Sequence, residues 1–385
     1  MKRKIFYPIL IFGRNNKLYF SKSTKIVNTS VLGFRLTDAK NGVNKMRKFI
    51  LCLLALLLIS YSPIIAQGVT KKGTTAASFL GIDVGPRAVG MGSAYVSVAN
   101  DVTAMYWNPA GISQIDNFRA DFSNTKWIAD LSFNYAGIVF PMEGIGNFGL
   151  NATFLTMGQI ERTTIENPEG TGEMFDAASY AFGICYARNL TDQFSIGFNV
   201  KYINERLYHV SANGFAADIG ARFDTGLEGL IIGMSISNYG TKMQLDGRDL
   251  NFQTDVAPNI SGNNQTIGAQ LQTDQYELPL LFRVGVSMDV LKGLGHSNLI
   301  LSADALHPND DREYIDVGGE YDFYDIFSLR GGYKGLFAKD SEQGISLGGG
   351  VHYTVLESAT IYFDYSYIDF GRFSAVHMFS VGFGL

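Results

Sequence analysis

Cysteine is nearly absent, with two in 385 residues, too few for the disulfide framework of a small secreted domain. Tryptophan is equally rare, at two. Charge is scarce: 17% of residues are Asp, Glu, Lys or Arg, against roughly 25% in an average soluble domain. Long apolar runs are missing too, apart from one at 49–59, so a helical multi-span membrane protein is excluded. Aromatic side chains are plentiful, with 28 Phe and 20 Tyr, and this excludes a disordered chain. Glycine is abundant as well, at 43 residues. Glycine, aromatics and low charge without long apolar runs are the composition of a membrane β-barrel.

The two ends differ in charge. Residues 1–48 hold twelve Lys and Arg and a single acid, Asp38. Met46-Arg47-Lys48 directly precedes the apolar run, and the small Ala66 follows it. This is the basic, apolar and small-residue order of a secretory signal peptide. The run is too short for a comfortable membrane-spanning helix. The expectation is a signal peptide at 46–66, cleaved near Ala66, with 1–45 an upstream over-extension ahead of a start at Met46. Position 64, which an A-x-A-like site would fill with a small residue, is Ile64. Beyond residue 66 the chain has 19 basic and 35 acidic residues, a surface ill-suited to nucleic acid. Only Cys185 remains there, because Cys52 lies in the signal.

From about residue 117 the apolar residues alternate with small or polar ones. Phe194, Ile196, Phe198, Val200 and Tyr202 alternate with Ser195, Gly197, Asn199 and Lys201. Phe282, Val284, Val286, Met288 and Val290, then Ile345, Leu347, Val351 and Tyr353, repeat the pattern. Successive side chains of a strand point to opposite faces, so each segment has one greasy face. A soluble sandwich alternates similarly. Length favours the membrane, since a tilted spanning strand needs about 9–11 residues. Fourteen such segments are expected, at 117–125, 131–141, 147–157, 176–189, 193–206, 211–224, 228–240, 277–290, 297–307, 312–323, 326–337, 343–355, 358–370 and 372–385. The long gaps, 158–175 and 241–276, both follow odd-numbered segments, whereas gaps after even ones such as 190–192 are short. Long outer loops and short periplasmic turns are the barrel habit. The expected fold is therefore all-β: a 14-stranded antiparallel transmembrane β-barrel spanning 117–385. Its non-greasy face is charged, with Lys201, Asp218, Arg222, Arg283, Asp289, Asp304, Asp316, Glu320, Arg330, Lys334 and Asp364. These read chiefly as a structural ion network. His377 falls on the greasy face of the last segment, where an imidazole is costly unless near an interface.

Residues 67–116 break the alternation and are expected to form an N-terminal plug, or hatch, inside the barrel. The string FLGIDVGPRAVGMGSAYVSVANDVTAMYWNPAGIS occupies 79–113. It resembles the N-terminal signature of the PorV/PorQ family of outer-membrane proteins, which is related to FadL-type transporters of hydrophobic compounds. The residues that carry the likeness are Gly85, Pro86, Arg87, Gly90 and Gly92, then Trp107, Asn108, Pro109, Ala110 and Gly111. The resemblance implies an outer-membrane barrel with its N-terminal segment packed inside. It also implies, as partners, secreted cargo or components of the type IX secretion system. A FadL-like carrier of hydrophobic solutes is the alternative reading. The polar residues of 241–276, including Asn251, Gln253, Asn259, Asn263, Asn264 and Gln265, offer such a solute little and favour the first reading.

Other candidate sites read blandly. The 85–92 stretch lacks the GK[ST] ending of a phosphate loop. Asn108 to Gly111 reads as a turn joining plug to wall, with Asn108 capping the bend. Asn309-Asp310-Asp311 lacks the spacing of a calcium loop. His209, His296, His307, His352 and His377 are scattered without metal spacing. Ser346 and His352 share a face but are six residues apart, about 20 Å along a strand. No cofactor, metal or catalytic group is expected.

Overall fold

The computed structural model describes residues 71–385 except 263, 265, 293–296, 325, 339–340 and 356–358, together with two short strands near the start. The expected signal peptide, the 1–45 extension, Cys52, His296, Asn263 and Gln265 lie outside the described residues. Contacts divide the chain into Met1–Leu51 and Cys52–Leu385. In the first unit Leu10–Phe12 pairs antiparallel with Leu18–Phe20.

The second unit is a closed barrel of fourteen antiparallel strands. In chain order these are β1 Arg119–Lys126, β2 Ser132–Met142, β3 Gly146–Thr156, β4 Ala177–Asn189, β5 Phe194–Leu207, β6 Val210–Asp224 and β7 Leu230–Gly240. Then follow β8 Leu281–Asp289, β9 Ser297–Pro308, β10 Tyr314–Phe323, β11 Phe327–Leu336, β12 Ile345–Val355, β13 Ala359–Ile368 and β14 Val376–Gly384. Each strand pairs with its sequence neighbour, and β14 closes on β1 from His377 opposite Lys126 to Gly384 opposite Arg119. The strand count and order match the sequence expectation, with ends displaced by at most four residues.

Side-chain direction follows the period-two pattern. Ile184, Phe198, Val200, Leu329, Leu347 and Val381 point outward and are exposed, while Asn199, Lys201, Asp218, Asp304, Glu320 and Arg330 point inward and are buried. Met288 and Val290 are exceptions to the expected greasy face, being buried where β8 turns toward β9. Leu301 stands opposite Met288 on the neighbouring strand. His377 does sit at the outward-facing start of β14, where its Nδ1 lies 2.8 Å from the Tyr365 hydroxyl. Cys185 is fully buried, as are its inward neighbours Ala181 and Ala187.

Two ladder irregularities near the long-loop rim share one construction. The register shifts around Asp218 between β6 and β7, and around Asp316 between β10 and β11. On the facing strands Asn238 and Gly335 are left-handed, with φ of 65° and 74°. Asp218 Oδ1 accepts the Asn238 N–H at 2.7 Å, and Asp316 Oδ1 accepts the Gly335 N–H at 2.7 Å. A bulge strands a backbone donor, and here a carboxylate takes it up.

Residues 77–115 form one core with the inner wall. Short helical turns carry them: Ser78–Gly81, α1 Pro86–Gly90, α2 Ala104–Trp107 and the 3₁₀ turn Pro109–Gln114. The segment starts at the long-loop rim. The Ala76 N–H donates to the Glu277 carbonyl at 2.9 Å, the Ala77 N–H to Glu205 at 2.8 Å and the Thr75 hydroxyl to Asp310 at 3.0 Å. It leaves at the opposite end, where β1 begins. The chain therefore threads the barrel from one mouth to the other.

Candidate functional site

The family-like motif divides into two patches on opposite walls. Gly85 has φ of 84°, and Pro86 opens α1 at its first position, where its fixed φ suits a helix start. This places Arg87 against β10. Its guanidinium grips Glu320 through two bonds, Nε at 2.8 Å and Nη2 at 2.7 Å, and its Nη1 reaches Asn100 at 2.7 Å and Asp101 at 3.3 Å. Glu320 also accepts from Arg330 at 2.5 Å, and Arg330 reaches Asp364 at 2.5 Å. The result is a chain of alternating charges that joins the internal segment to β10, β11 and β13. Bidentate pairing of this kind fixes geometry as well as contributing energy.

Gly90 and Gly92 complete the first patch. A Cβ on Gly90 would lie 3.0 Å from the Gly348 Cα, and one on Gly92 would lie 2.5 Å from the Tyr333 backbone nitrogen. Glycine at these positions permits backbone-to-backbone contact. The Gly92 N–H donates to the Ser346 hydroxyl at 2.9 Å, and that hydroxyl faces the Gly90 carbonyl at 3.4 Å. Ser346 is therefore committed to packing, and it makes no pair with His352, whose charged neighbour is Asp364 at 4.0 Å.

The second patch faces β5 and β6. Trp107 is fully buried, donates Nε1–H to the Val84 carbonyl at 2.8 Å and stacks edge-on with Tyr95 and Tyr106. The Arg283 guanidinium lies 5.2 Å from its ring centroid, a cation–π contact. Asn108 Oδ1 caps the Pro109–Gln114 turn by accepting the Ala110 N–H at 3.2 Å. The capping expected from sequence is present, but the motif lies within the lumen instead of at the junction with the wall, which follows at 115–118. Asn108 also donates to the Val96 carbonyl at 2.8 Å and the Ala221 carbonyl at 3.0 Å. It thus ties the turn both to the segment's own loop and to β6. Against this patch, Gly197 and Gly220 leave room for Pro109 and Ala110. A Cβ on Gly111 would come 2.8 Å from that of Ala104.

Sequence reading singled out neither Asp101 nor Asn147. Asp101 accepts the Thr103 N–H at 2.9 Å, the Thr103 hydroxyl at 2.6 Å and the Tyr95 hydroxyl at 2.5 Å. Asn147 on β3 donates to the carbonyls of Ile112 and Ile115. Asp304, read only as a luminal charge, accepts the Val96 N–H at 2.8 Å. The partners of Asn147 and Asp304 lie far away in sequence, and no local spacing signals them, whereas Asp101 and Thr103 stand at the i, i+2 spacing of a local turn, a signal the sequence does carry. Asp310 and Asp311 are taken up by Thr75 and Lys72. Among the described residues no three His, Cys, Asp or Glu side chains are grouped to hold a metal ion.

The long-loop end is built differently. In 158–175, Ile160–Glu161 pairs with Met174–Phe175. In 241–276, Met243–Gln244 pairs with Gln275–Tyr276, and Asp246–Gly247 extends the sheet beside the start of β6. Beyond these, Asn251–Thr254 and Ile267–Gln270 form a hairpin. Alternation gives it a polar face with Asn251, Gln253 and Gln270, and an apolar face with Phe252, Ile267 and Leu271. The apolar side chains are exposed, as are Val256 and Ile260 beyond it. The loop judged polar by composition therefore presents an uncovered apolar face.

The comparisons agree with this architecture. The family model described as type IX secretion system protein PorV matches residues 66–261, more than half of the chain. No curated protein matches it. Among solved structures, the chain is similar in fold to the CymD monoaromatic hydrocarbon channel, with 12% identity, 78% of this chain and 97% of that one covered, and a TM-score of 0.52. A Pseudomonas aeruginosa FadL homologue matches at 14% identity over 78% of this chain and 98% of that one, with a TM-score of 0.49. An outer-membrane β-barrel with the PorV signature across its internal segment and first strands, this chain belongs to the PorV family of type IX secretion system proteins.

Proposed function

We propose that the protein is a non-catalytic outer-membrane barrel that holds a protein partner of type IX secretion at its long-loop end. In this reading residues 67–116 are a fixed plug. Residues 46–66 are a signal peptide removed near Ala66, and 1–45 lies upstream of the functional start. The observation that carries the proposal is the hairpin of 251–270, whose apolar face stands uncovered above the rim. A two-stranded hairpin is marginal alone in water, and an exposed apolar patch marks an interaction surface. Its edges and alternating exposed apolar side chains suit strand addition by an extended partner segment.

The alternative is passage of a hydrophobic solute, through a gap in the wall or past a displaced plug. Two features weigh against it. Every adjacent strand pair is laddered, β14 with β1 included. The segment also touches the wall backbone at Gly90, Gly92, Gly197 and Gly220, so displacement would break many close contacts at once.

The test is a pull-down of tagged protein from native membranes, beside a variant with 251–270 replaced by a short Gly-Ser turn. Secreted proteins should be retained by the first and lost from the second, while both keep the heat-modifiable gel migration of a folded barrel. Retention of none, together with lost uptake of an apolar compound in a deletion strain, would establish the solute reading instead.

A further inference from the structure

A cleft of about 730 Å³ opens at the long-loop end. Three separate connections build it: the 158–175 loop, the two-residue turn between β5 and β6, and the 241–276 loop. Its floor is aromatic. The Phe175 ring meets Tyr208 edge-on at 6.5 Å, and His209 lies against Tyr208 with centroids 3.5 Å apart. Tyr208 holds a φ of 55°, a left-handed conformation that a bulky side chain rarely adopts. A glycine or asparagine would fit this turn without strain, so the turn places rings in the cleft at a conformational penalty.

The polar groups are unevenly committed. Glu173 accepts from the Tyr208 hydroxyl and from Arg162 Nη1, the latter at 2.6 Å. Both oxygens of Asp249 face His209 Nδ1, at 3.0 and 3.1 Å. Arg248 Nη2 contacts the other ring nitrogen, and its Nε lies 3.8 Å from Asp249. Each carboxylate is thus already engaged inside the cleft. Arg162, 57% exposed, commits one guanidinium nitrogen, and Arg248 is 70% exposed. What remains for a ligand is a set of guanidinium N–H donors above a floor of rings. Guanidinium forks match carboxylates, and the volume lies within the usual range for a small-ligand site, roughly 300–1,000 Å³.

We propose that this cleft binds a carboxylate borne on a flat apolar group, the acid held by Arg162 and Arg248 and the flat group resting on Tyr208 and Phe175. The chemistry is shared by an acidic-aromatic stretch of polypeptide and by a free aromatic acid. The proposal is independent of what the hairpin holds.

The experiment uses the purified, detergent-solubilised protein and three probes: acetyl-Phe-Asp-amide, its uncharged counterpart acetyl-Phe-Asn-amide, and phenylacetate. Saturation-transfer NMR reports contact, and titration gives affinity. The Asp peptide should bind at least tenfold more tightly than the Asn peptide. The R162Q/R248Q variant should lose that preference. Tyr208→Asn, which tolerates the left-handed turn, should lose transfer to the probe's ring while keeping heat-modifiable migration. Displacement of the peptide by phenylacetate supports the site and assigns a small acid as its ligand. Peptide binding without such displacement supports the site and assigns polypeptide. Equal binding of the Asp and Asn peptides, or an unchanged preference in R162Q/R248Q, would overturn the proposal.

Discussion

The lumen and the long-loop end of this molecule use polar residues in opposite ways. In the lumen, most of the charges and amides that meet the internal segment are buried and paired: Arg87 with Glu320, Glu320 with Arg330, and Asn108 with two carbonyls, as Lys201 is with Asp218 on the wall. Glycines bring backbones together, and the segment is held from several strands at once. At the loop end, apolar side chains stand uncovered, guanidinium groups are exposed, and a tyrosine sits in a strained turn. Buried polar groups must be satisfied and so specify one packing. Exposed apolar surface and spare donors have no such internal demand. The contrast teaches that the interior is built for permanence and the loops for contact.

The severest way to break this contrast is to force the lumen open. A side chain at Gly332 would run into the backbone of Met91 and Gly92. Gly332→Leu should either abolish heat-modifiable migration or, if the barrel still closes, give measurable conductance in planar bilayers. A folded, silent barrel would show that the segment yields easily. Topology offers a second all-or-none test. Thr74 is exposed at the mouth that carries the long loops, as is Ile165, whereas Leu227 is exposed in a turn at the other mouth. With the loops outside, Thr74→Cys and Ile165→Cys should label with an impermeant maleimide on intact cells, and Leu227→Cys should not. Native Cys185 is buried and should stay silent.

Glu320→Gln should have a smaller but large effect. It removes the shared carboxylate from Arg87 and Arg330. Breaking a buried pair leaves uncompensated charge and costs about 3–5 kcal/mol, so the variant should lose its folded gel form at clearly lower temperature or urea. A shift as small as that of a surface substitution would show that water reaches the network.

Acid should loosen the loop end first and least. The Tyr208 hydrogen bond, and then that of Arg162, hold the Glu173 carboxyl below its ordinary value of 4.5. A depressed folded value stabilises the folded loop above the unfolded pKa, and this contribution fades as pH falls through the folded one. Hydrogen-exchange protection in 158–175, measured against the intrinsic exchange rate at each pH, should therefore be unchanged between pH 7 and 5 and fall below about pH 4. Because Glu173 is exposed, the effect is small, and an equal loss of protection in 85–111 would erase the contrast.

Much of the wall was legible because a membrane strand repeats a local rule. Each residue's direction follows from parity, and Phe198 or Leu347 must face outward whatever their partners. The internal segment was legible as an exception to that rule, and through the Gly85–Gly92 and Trp107–Gly111 motifs. Less legible was what those residues touch. Arg87 meets Glu320 across 233 positions, and Asn108 reaches Ala221 across 113. The 251–270 hairpin was missed because its loop was read for composition. Its two short arms alternate, Phe252 against Gln253 and Ile267 against Gly268, and only pairing aligns their apolar sides.

Alternation, strand length and loop parity by themselves determined a closed, greasy-walled cylinder with a non-strand leader, since bilayer burial permits few other answers for such a pattern. Only the tertiary structure decided the direction in which that leader threads the lumen and the use of Asp218 and Asp316 to seal bulges. It alone also assembled a cleft from three distant turns. These features depend on which residues closure of the barrel brings side by side, a relation set by register and geometry and carried by no local stretch of chain.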